Sequence, residues 1–396
     1  MKRFFLFIMI IISGLVLSGC LGKREINDLA IVMAVGIDKG EDGLVKITAQ
    51  IVRPADSRGQ TGAPSGQTGD PIWSASSEGE TLFEAIRNLS TFSSRRVFWA
   101  HNYAIVINED YAKDGISEVV DFFTRNPELR MRTWVMVTPE KASRLVSTLT
   151  GLEVIPGEAL DKLFRYTRIS VQAPKTQMID VQAALTNEYV EPVIARVRLT
   201  KKGVSNKKPG ESGAIEQVEL AGAGAFKGDK LVGIIEPEEM KGMLPFIEKM
   251  ETGLVVLQCP TDDKKKLSVE LENHRFKITP KYKEEMPEFD IHYSVTGSIV
   301  EGDCVLTIKD RPKIKGLEKQ METQLKDQIE TIVQKAQKDY QSDFLEFGNI
   351  FNNHYPAEWK NIKSRWEAVF PEVKVETTIE GEINDSSLLF KSSANH

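Results

Sequence analysis

Asp28-Leu-Ala-Ile-Val-Met-Ala-Val-Gly-Ile37 contains nine successive residues without a charge, most of them Val, Ile, Ala, Leu or Met. A run of this kind, lacking the alternation of a half-exposed strand, reads as a strand covered on both faces. The turn that follows contains Gly40 and Asp42-Gly43, and beyond it Val45, Ile47, Ala49 and Ile51 alternate with polar residues. This second run is the return arm of a hairpin. Residues 53–77 are rich in Gly, Ser, Pro and Gln and have little to bury. They are expected to form a mobile surface loop.

Strand and helix signals then alternate. Thr81-Leu-Phe-Glu84 has the capping-box pattern, with Leu82, Phe83, Ile86 and Leu89 as the apolar face of its helix. Strands are expected at 103–107 and 134–137, with a helix around 115–123 between them. Thr138 and Pro139 suit the cap and first turn of a helix that reaches Thr150 and stops at Gly151. A short helix near 178–185 and a strand through 193–199 complete an N-terminal α/β domain over 20–199. Residues 200–213 are polar, with Lys207-Lys208-Pro209-Gly210, and read as a linker.

The C-terminal domain is expected over 214–380, with strands at 218–226, 230–235, 267–271, 289–300 and 305–308. A helix after Pro237 turns Met240, Met243, Leu244 and Phe246-Ile247 inward, and Pro245 kinks or ends it. The longest helix spans 316–340. Leu317, Met321, Leu325, Ile329, Ile332, Val333, Ala336 and Tyr340 form one stripe on a rod roughly 37 Å long. After Pro356, Trp359, Ile362, Trp366 and Val369-Phe370 share a helix face, Pro371 ends it, and a strand at 373–379 precedes a polar tail, 381–396. The whole reads as a mixed α/β (α+β) fold of two or three domains, with mixed or antiparallel sheets and packed helices.

The first twenty residues are of another kind. Lys2 and Arg3 precede the apolar stretch Phe4–Leu17, which ends in Leu17-Ser18-Gly19-Cys20. That stretch is shorter than the roughly 20 apolar residues of a membrane span and has the length of a secretory h-region. A cysteine directly after Ser-Gly resembles the lipobox of bacterial lipoproteins. The resemblance implies removal of 1–19 as a lipoprotein signal peptide. Cys20 then carries a diacylglycerol and an N-acyl lipid as the mature N-terminus. At about 0.8 kcal/mol per buried methylene, two or more chains anchor stably where one holds marginally.

Removing 1–19 leaves 49 basic against 57 acidic residues. So acidic a chain, with no basic block interleaved with aromatics, does not read as a nucleic-acid binder. Cys259 and Cys304 have no metal-ligand spacing. They read as two small buried thiols, a disulfide being the alternative in an exported chain. The histidines, His101, His274, His292, His354 and His396, show no close ligand spacing. No nucleophile elbow occurs, and the Ser205–Lys208 match to S-x-x-K falls in the linker. Gly222-Ala-Gly224 lacks the third glycine of a dinucleotide fingerprint. Asp28, Asp38, Asp121 and Glu128 are carboxylates without a spacing that pairs them, and His101 beside Trp99 opens a strand. No catalytic or metal residue is assigned, and no cofactor beyond the covalent lipid.

Several separated stretches together resemble the Ger(x)C family, the lipoprotein C subunits of spore nutrient-germinant receptors. They begin with Arg24-Glu-Ile-Asn-Asp-Leu-Ala-Ile-Val-Met-Ala-Val-Gly-Ile-Asp38 and Gly79-Glu-Thr-Leu-Phe-Glu-Ala-Ile-Arg87. Arg95-Arg96 with Phe98-Trp99-Ala100-His101, and Phe122-Phe-Thr-Arg-Asn-Pro-Glu-Leu-Arg130, follow. The second half adds Glu238-Glu-Met-Lys-Gly-Met-Leu244, Ala336-Gln-Lys-Asp-Tyr-Gln-Ser-Asp343 and Trp366-Glu-Ala-Val-Phe-Pro371. The ending departs from the family: Thr377-Thr-Ile-Glu-Gly-Glu-Ile-Asn384 stands where an Arg-Arg-Thr-Gly-like close is usual.

The resemblance implies a mixed α/β fold and a non-enzymatic subunit on the outer face of the spore inner membrane. Its partners would be a receptor A subunit and a transporter-like B subunit, and the chain would not itself bind the germinant. A lipid-anchored extracytoplasmic solute-binding protein, hinged at 200–213, is the alternative. Arg95, Arg96 and Trp99 place two guanidinium groups beside bulky aromatics, a composition enriched at interfaces. They are the candidate partner-binding residues.

Overall fold

The computed structural model describes residues 28–52, 72–148, 153, 155–165, 172–204, 214–248, 250–302 and 311–384. The apolar run is β1, Leu29–Lys39, and every residue from Val32 to Asp38 is buried. Its side chains feed two cores. Val35 and Ile37 pack on one face of the sheet with Leu82, Leu89, Val119 and Phe123. Ala34 packs on the other with Ala142, Leu145, Leu160 and Phe164.

β2, Val45–Val52, returns antiparallel to β1, with Ile37 opposite Ile47. β3, Ile72–Gly79, then pairs antiparallel with β2. Residues 72–77, expected in a loop, are therefore an edge strand. Their polarity misleads because only Ile72 and Ala75 face the core, while the Ser76 hydroxyl lies 2.8 Å from that of Thr48. In α1, Leu82–Leu89, the Thr81 hydroxyl accepts the Glu84 N–H at 3.2 Å and the Glu84 carboxylate accepts the Glu80 N–H at 2.8 Å. Leu82, Ala85, Ile86 and Leu89 are buried, but Phe83 is 54% exposed. It sits one step round the helix from the 82/86/89 stripe.

After β4, Arg96–Phe98, come β5, Ala104–Asn108, the short α2, Glu109–Ala112, and α3, Ser117–Arg125. β6, Trp134–Thr138, follows. α4, Ala142–Ser147, starts later than the Thr138-Pro139 signal suggests. Its cap comes from β1: the Asp38 carboxylate accepts the Ala142 N–H at 2.7 Å and the Ser143 N–H at 2.9 Å. A carboxylate there satisfies orphan donors and matches the helix dipole. The expected stop at Gly151 lies outside the described residues. α5, Pro156–Arg165, has no counterpart in the sequence expectations. Buried Gln50 holds both helices: its amide nitrogen donates to the Val146 carbonyl, and its carbonyl accepts the Gly157 N–H at 3.0 Å.

α6, Met178–Thr186, leads to β7, Val193–Val204, β8, Ala214–Lys227, and β9, Lys230–Ile235. The sheet order is β3-β2-β1-β5-β6-β7-β8-β9, with β4 on β1. Of the expected 200–213 linker, residues 200–204 are strand, the end of β7, and 205–213 lie outside the described residues. Thr200 pairs with Gln217 and Lys201 with Glu216, so this described part lies in the first sheet against β8. The polarity is that of exposed strand ends, where Glu219 pairs with Lys202 and, at 2.6 Å, with Arg198. β8 and β9, expected to open the second domain, complete the first sheet.

The second sheet, order β10-β11-β12-β13, comprises Gly253–Cys259, Asp262–Lys283, Met286–Gly302 and Lys374–Asn384. β13 runs parallel to β12 and extends four residues past the expected start of the tail at 381. The expected strand at 305–308 is outside the described residues. α7, Met240–Ile247, continues only two residues beyond Pro245. α8, Arg311–Gln334, continues as a π turn, Lys335–Asp339, and buries its stripe from Leu317 to Ala336 against the sheet. α9, Phe347–His354, α10, Pro356–Ile362, and α11, Trp366–Val369, close the core with Trp359, Ile362, Trp366, Val369 and Phe370 all buried. Cys259 is disulfide-bonded, which overturns its reading as a free thiol; Cys20 and Cys304 are outside the described residues.

The two sheets share one core. Ala223, Ala225 and Ile235 of the first pack in the same cluster as Met240, Phe344 and Phe289. The Tyr340 hydroxyl donates to the Ile234 carbonyl at 2.6 Å, and the Ser342 hydroxyl to that of Phe226.

Candidate interaction surface

β1 begins beside β4: Leu29 pairs in parallel with Arg96, Ala30 with Val97 and Ile31 with Phe98. The start of β1 and Arg95-Arg96 therefore lie side by side. Register brings more chain to this end of the sheet. Ile51, opposite Val32, pairs with Trp73, and Ala104, opposite Ala34, pairs with Trp134. The start of β3, the turn after α1 and the 126–133 segment before β6 thus converge there.

The structure separates the three candidate residues. Arg95 and Arg96 are exposed, and Arg96 is ion-paired with Glu128. Trp99 is 4% exposed and belongs to the core beneath them, so it is corrected from surface anchor to packing residue. The exposed aromatics at this end are Trp73 and Phe92, in edge-to-face contact with ring centroids 6.2 Å apart. Sequence reasoning missed both. The available signal is Phe92 amid Thr91, Ser93 and Ser94, an aromatic with no apolar neighbour in sequence to pack with. Arg130 and Arg132 are also exposed here. His101 is exposed, its ring 6.1 Å from that of Phe98.

The carboxylates do not converge. Asp28 is exposed, Asp38 caps α4, Asp121 pairs with Arg125 at 2.5 Å, and Glu128 pairs with Arg96. Among the described residues no three His, Cys, Asp or Glu side chains gather as a metal site. An open groove of about 680 Å³ runs between β10 and α8, where the Gln320 side chain accepts the Gln258 N–H at 3.1 Å. A smaller cavity of about 270 Å³ lies beside the start of β7, bordered by Lys175, Glu191, Glu248 and Phe344.

One buried acid lies at the junction. Asp343, just after the π turn, accepts N–H groups from Phe347 at 3.0 Å, Gly348 at 2.7 Å and the Trp366 indole at 2.9 Å. Burial outweighs these donors and pushes its pKa up to about 7. The folded state therefore holds a proton that the unfolded chain has released between about pH 4 and 7. Stability should fall as pH rises across that window and level off above it, by an amount of order a few kcal/mol. Asp343→Asn should flatten this part of the profile in urea melts taken across the range; an unchanged slope would locate the titrating group elsewhere.

Comparison with known proteins gives a consistent picture. A model described as the spore germination protein N-terminal domain matches residues 22–199, and one described as spore germination B3/GerAC like, C-terminal, matches 221–387. The chain is 30% identical to spore germination protein KC of Bacillus subtilis, over 98% of this chain and 97% of that one. It is 22% identical to spore germination protein GerQC of Bacillus cereus, over 98% and 99%. The crystal structure of the GerBC protein superposes with a TM-score of 0.57 at 18% identity, covering 88% of this chain and 96% of that one.

Proposed function

The chain belongs to the GerAC-like family of spore germination proteins, and from that membership we propose that it is a non-enzymatic, lipid-anchored subunit of a nutrient germinant receptor. In this reading Cys20 carries the lipid, the folded part sits on the outer face of the spore inner membrane, and the subunit acts in assembly and signalling with membrane-embedded A and B subunits. The observation that carries the reading is the end-to-end match to spore germination protein KC, which spans both halves of the chain in one order.

The alternative, a hinged solute-binding protein, finds less support. Thr200–Val204, the described part of the segment that would be its hinge, pairs with β8 within one sheet, and the two sheets share a core. The cavity beside the start of β7, about 270 Å³, falls below the ~300–1,000 Å³ typical of ligand pockets. An affinity-tagged copy, solubilised from spore inner membranes, is expected to bring the A and B subunits with it. Recovery of neither, together with saturable binding of a nutrient amino acid or sugar by the chain alone, would replace this reading with the solute-binding one.

A further inference from the structure

We propose that the end of the first sheet at which β1 begins lies against an anionic bilayer surface, with Arg95, Arg96, Arg130, Arg132, Trp73 and Phe92 as its contacts. This rests on reading Cys20 as the lipid-bearing residue. Nine peptide units separate Cys20 from Leu29. At no more than about 3.3–3.6 Å each they reach roughly 30 Å. The far end of β1 is a further eleven-residue strand away, about another 36 Å. The tether therefore keeps the start of β1 within about 30 Å of the lipid-bearing residue.

The chemistry of that end fits a lipid surface. The chain as a whole carries a net charge of −6, yet four arginines are exposed here, against the carboxylates of Asp28, Glu128 and Asp180, the last beside Met131 through the Ile179 N–H. Arg125 is neutralised locally by Asp121. Trp73 is 38% exposed and Phe92 51%, and aromatic rings of this kind settle at the headgroup level beside basic residues. A protein partner could read the same residues, but the tether and the charge surplus both point to the bilayer.

The test uses the lipidated mature protein on vesicles of phosphatidylcholine, with and without phosphatidylglycerol. Hydrogen exchange at 92–98 and 126–132 should slow only where phosphatidylglycerol is present. Each basic residue near such a surface strengthens association about fivefold. Arg95→Glu with Arg96→Glu should therefore weaken vesicle binding of the unlipidated Cys20→Ala chain by at least tenfold. Trp73→Ser with Phe92→Ser is a second variant that leaves the Arg96–Glu128 pair intact, and it should weaken binding with little change in salt dependence. No slowing in a protein whose Cys20 is acylated by mass spectrometry would overturn the proposal. Slowing that needs solubilised A or B subunit and not lipid would overturn it too, in favour of a protein interface. If Cys20 proves unacylated, the anchoring reading falls, and the titration of the unlipidated chain still decides the face.

Discussion

Cys20→Ala is expected to remove the protein from the spore membrane fraction and to depress nutrient-triggered germination. No helix among the described residues is long and apolar enough to cross a membrane, and residues 4–17 are shorter than a comfortable span. Retention would then depend on acyl chains at one atom, the Cys20 Sγ, and on the new α-amino group. At about 0.8 kcal/mol per buried methylene, loss of a diacylglycerol and an N-acyl chain removes far more affinity than a basic and aromatic surface can restore. The measurement is the partition of the protein between membrane and soluble fractions, with the mass of the N-terminal peptide as control. A variant that stays with the membrane and germinates normally would show that something other than this lipid holds it.

Trp366→Ala should destabilise the fold by about 3–5 kcal/mol, the range for deleting a large buried aromatic side chain. Trp366 is 7% exposed, with ring centroids 5.1 Å from Trp359 and 5.9 Å from Phe370. Its indole N–H donates to Asp343 at 2.9 Å, so truncation opens a cavity and also strips one of three donors from a fully buried acid. Trp366→Phe keeps most of the ring and loses that donor; it should cost about 1–3 kcal/mol. Thermal or denaturant melts of the two variants separate packing from hydrogen bonding. Equal losses would mean that the bond dominates, and an unchanged melting temperature for Trp366→Ala would put the residue outside the core.

Where sequence reasoning succeeds, the signal is local and repeated. The continuous apolar run fixes β1, the Thr81–Glu84 cap fixes α1, and the stripe from Leu317 to Ala336 fixes α8. Where it fails, the deciding partner is remote. The start of α4 is set by Asp38 at the end of β1, and no pattern near Ala142 could announce that. Residues 72–77 look like loop because an edge strand needs few apolar residues, and 200–202 look like linker because Lys201 and Lys202 face solvent at the end of β7. The interaction surface was half legible. Arg95 and Arg96 were marked by composition, but Trp99, beside them in sequence, turns inward, and only strand register reveals that Trp73, Phe92 and β1's first residue are their neighbours. Asp343 is silent in the sequence, since nothing local marks a carboxylate whose three donors come from Phe347, Gly348 and Trp366.

The placement of β13 constrains the order in which the chain can acquire its shape. The first sheet is complete once Ile235 is in place. The second lacks an outer strand until Lys374–Asn384 arrives and lies parallel to β12. Until then β12 presents bare backbone amides and carbonyls from Glu288 to Ser298. Even when β13 is added, its own N–H groups at Gly381 and Ile383 are taken up by Glu322 and Glu318 of α8. A polypeptide emerging from a ribosome or a translocon amino end first must therefore finish its C-terminal half only after nearly all of it has emerged. A nascent chain halted before β13 would be a ready substrate for a holdase chaperone or for strand exchange with a sister copy.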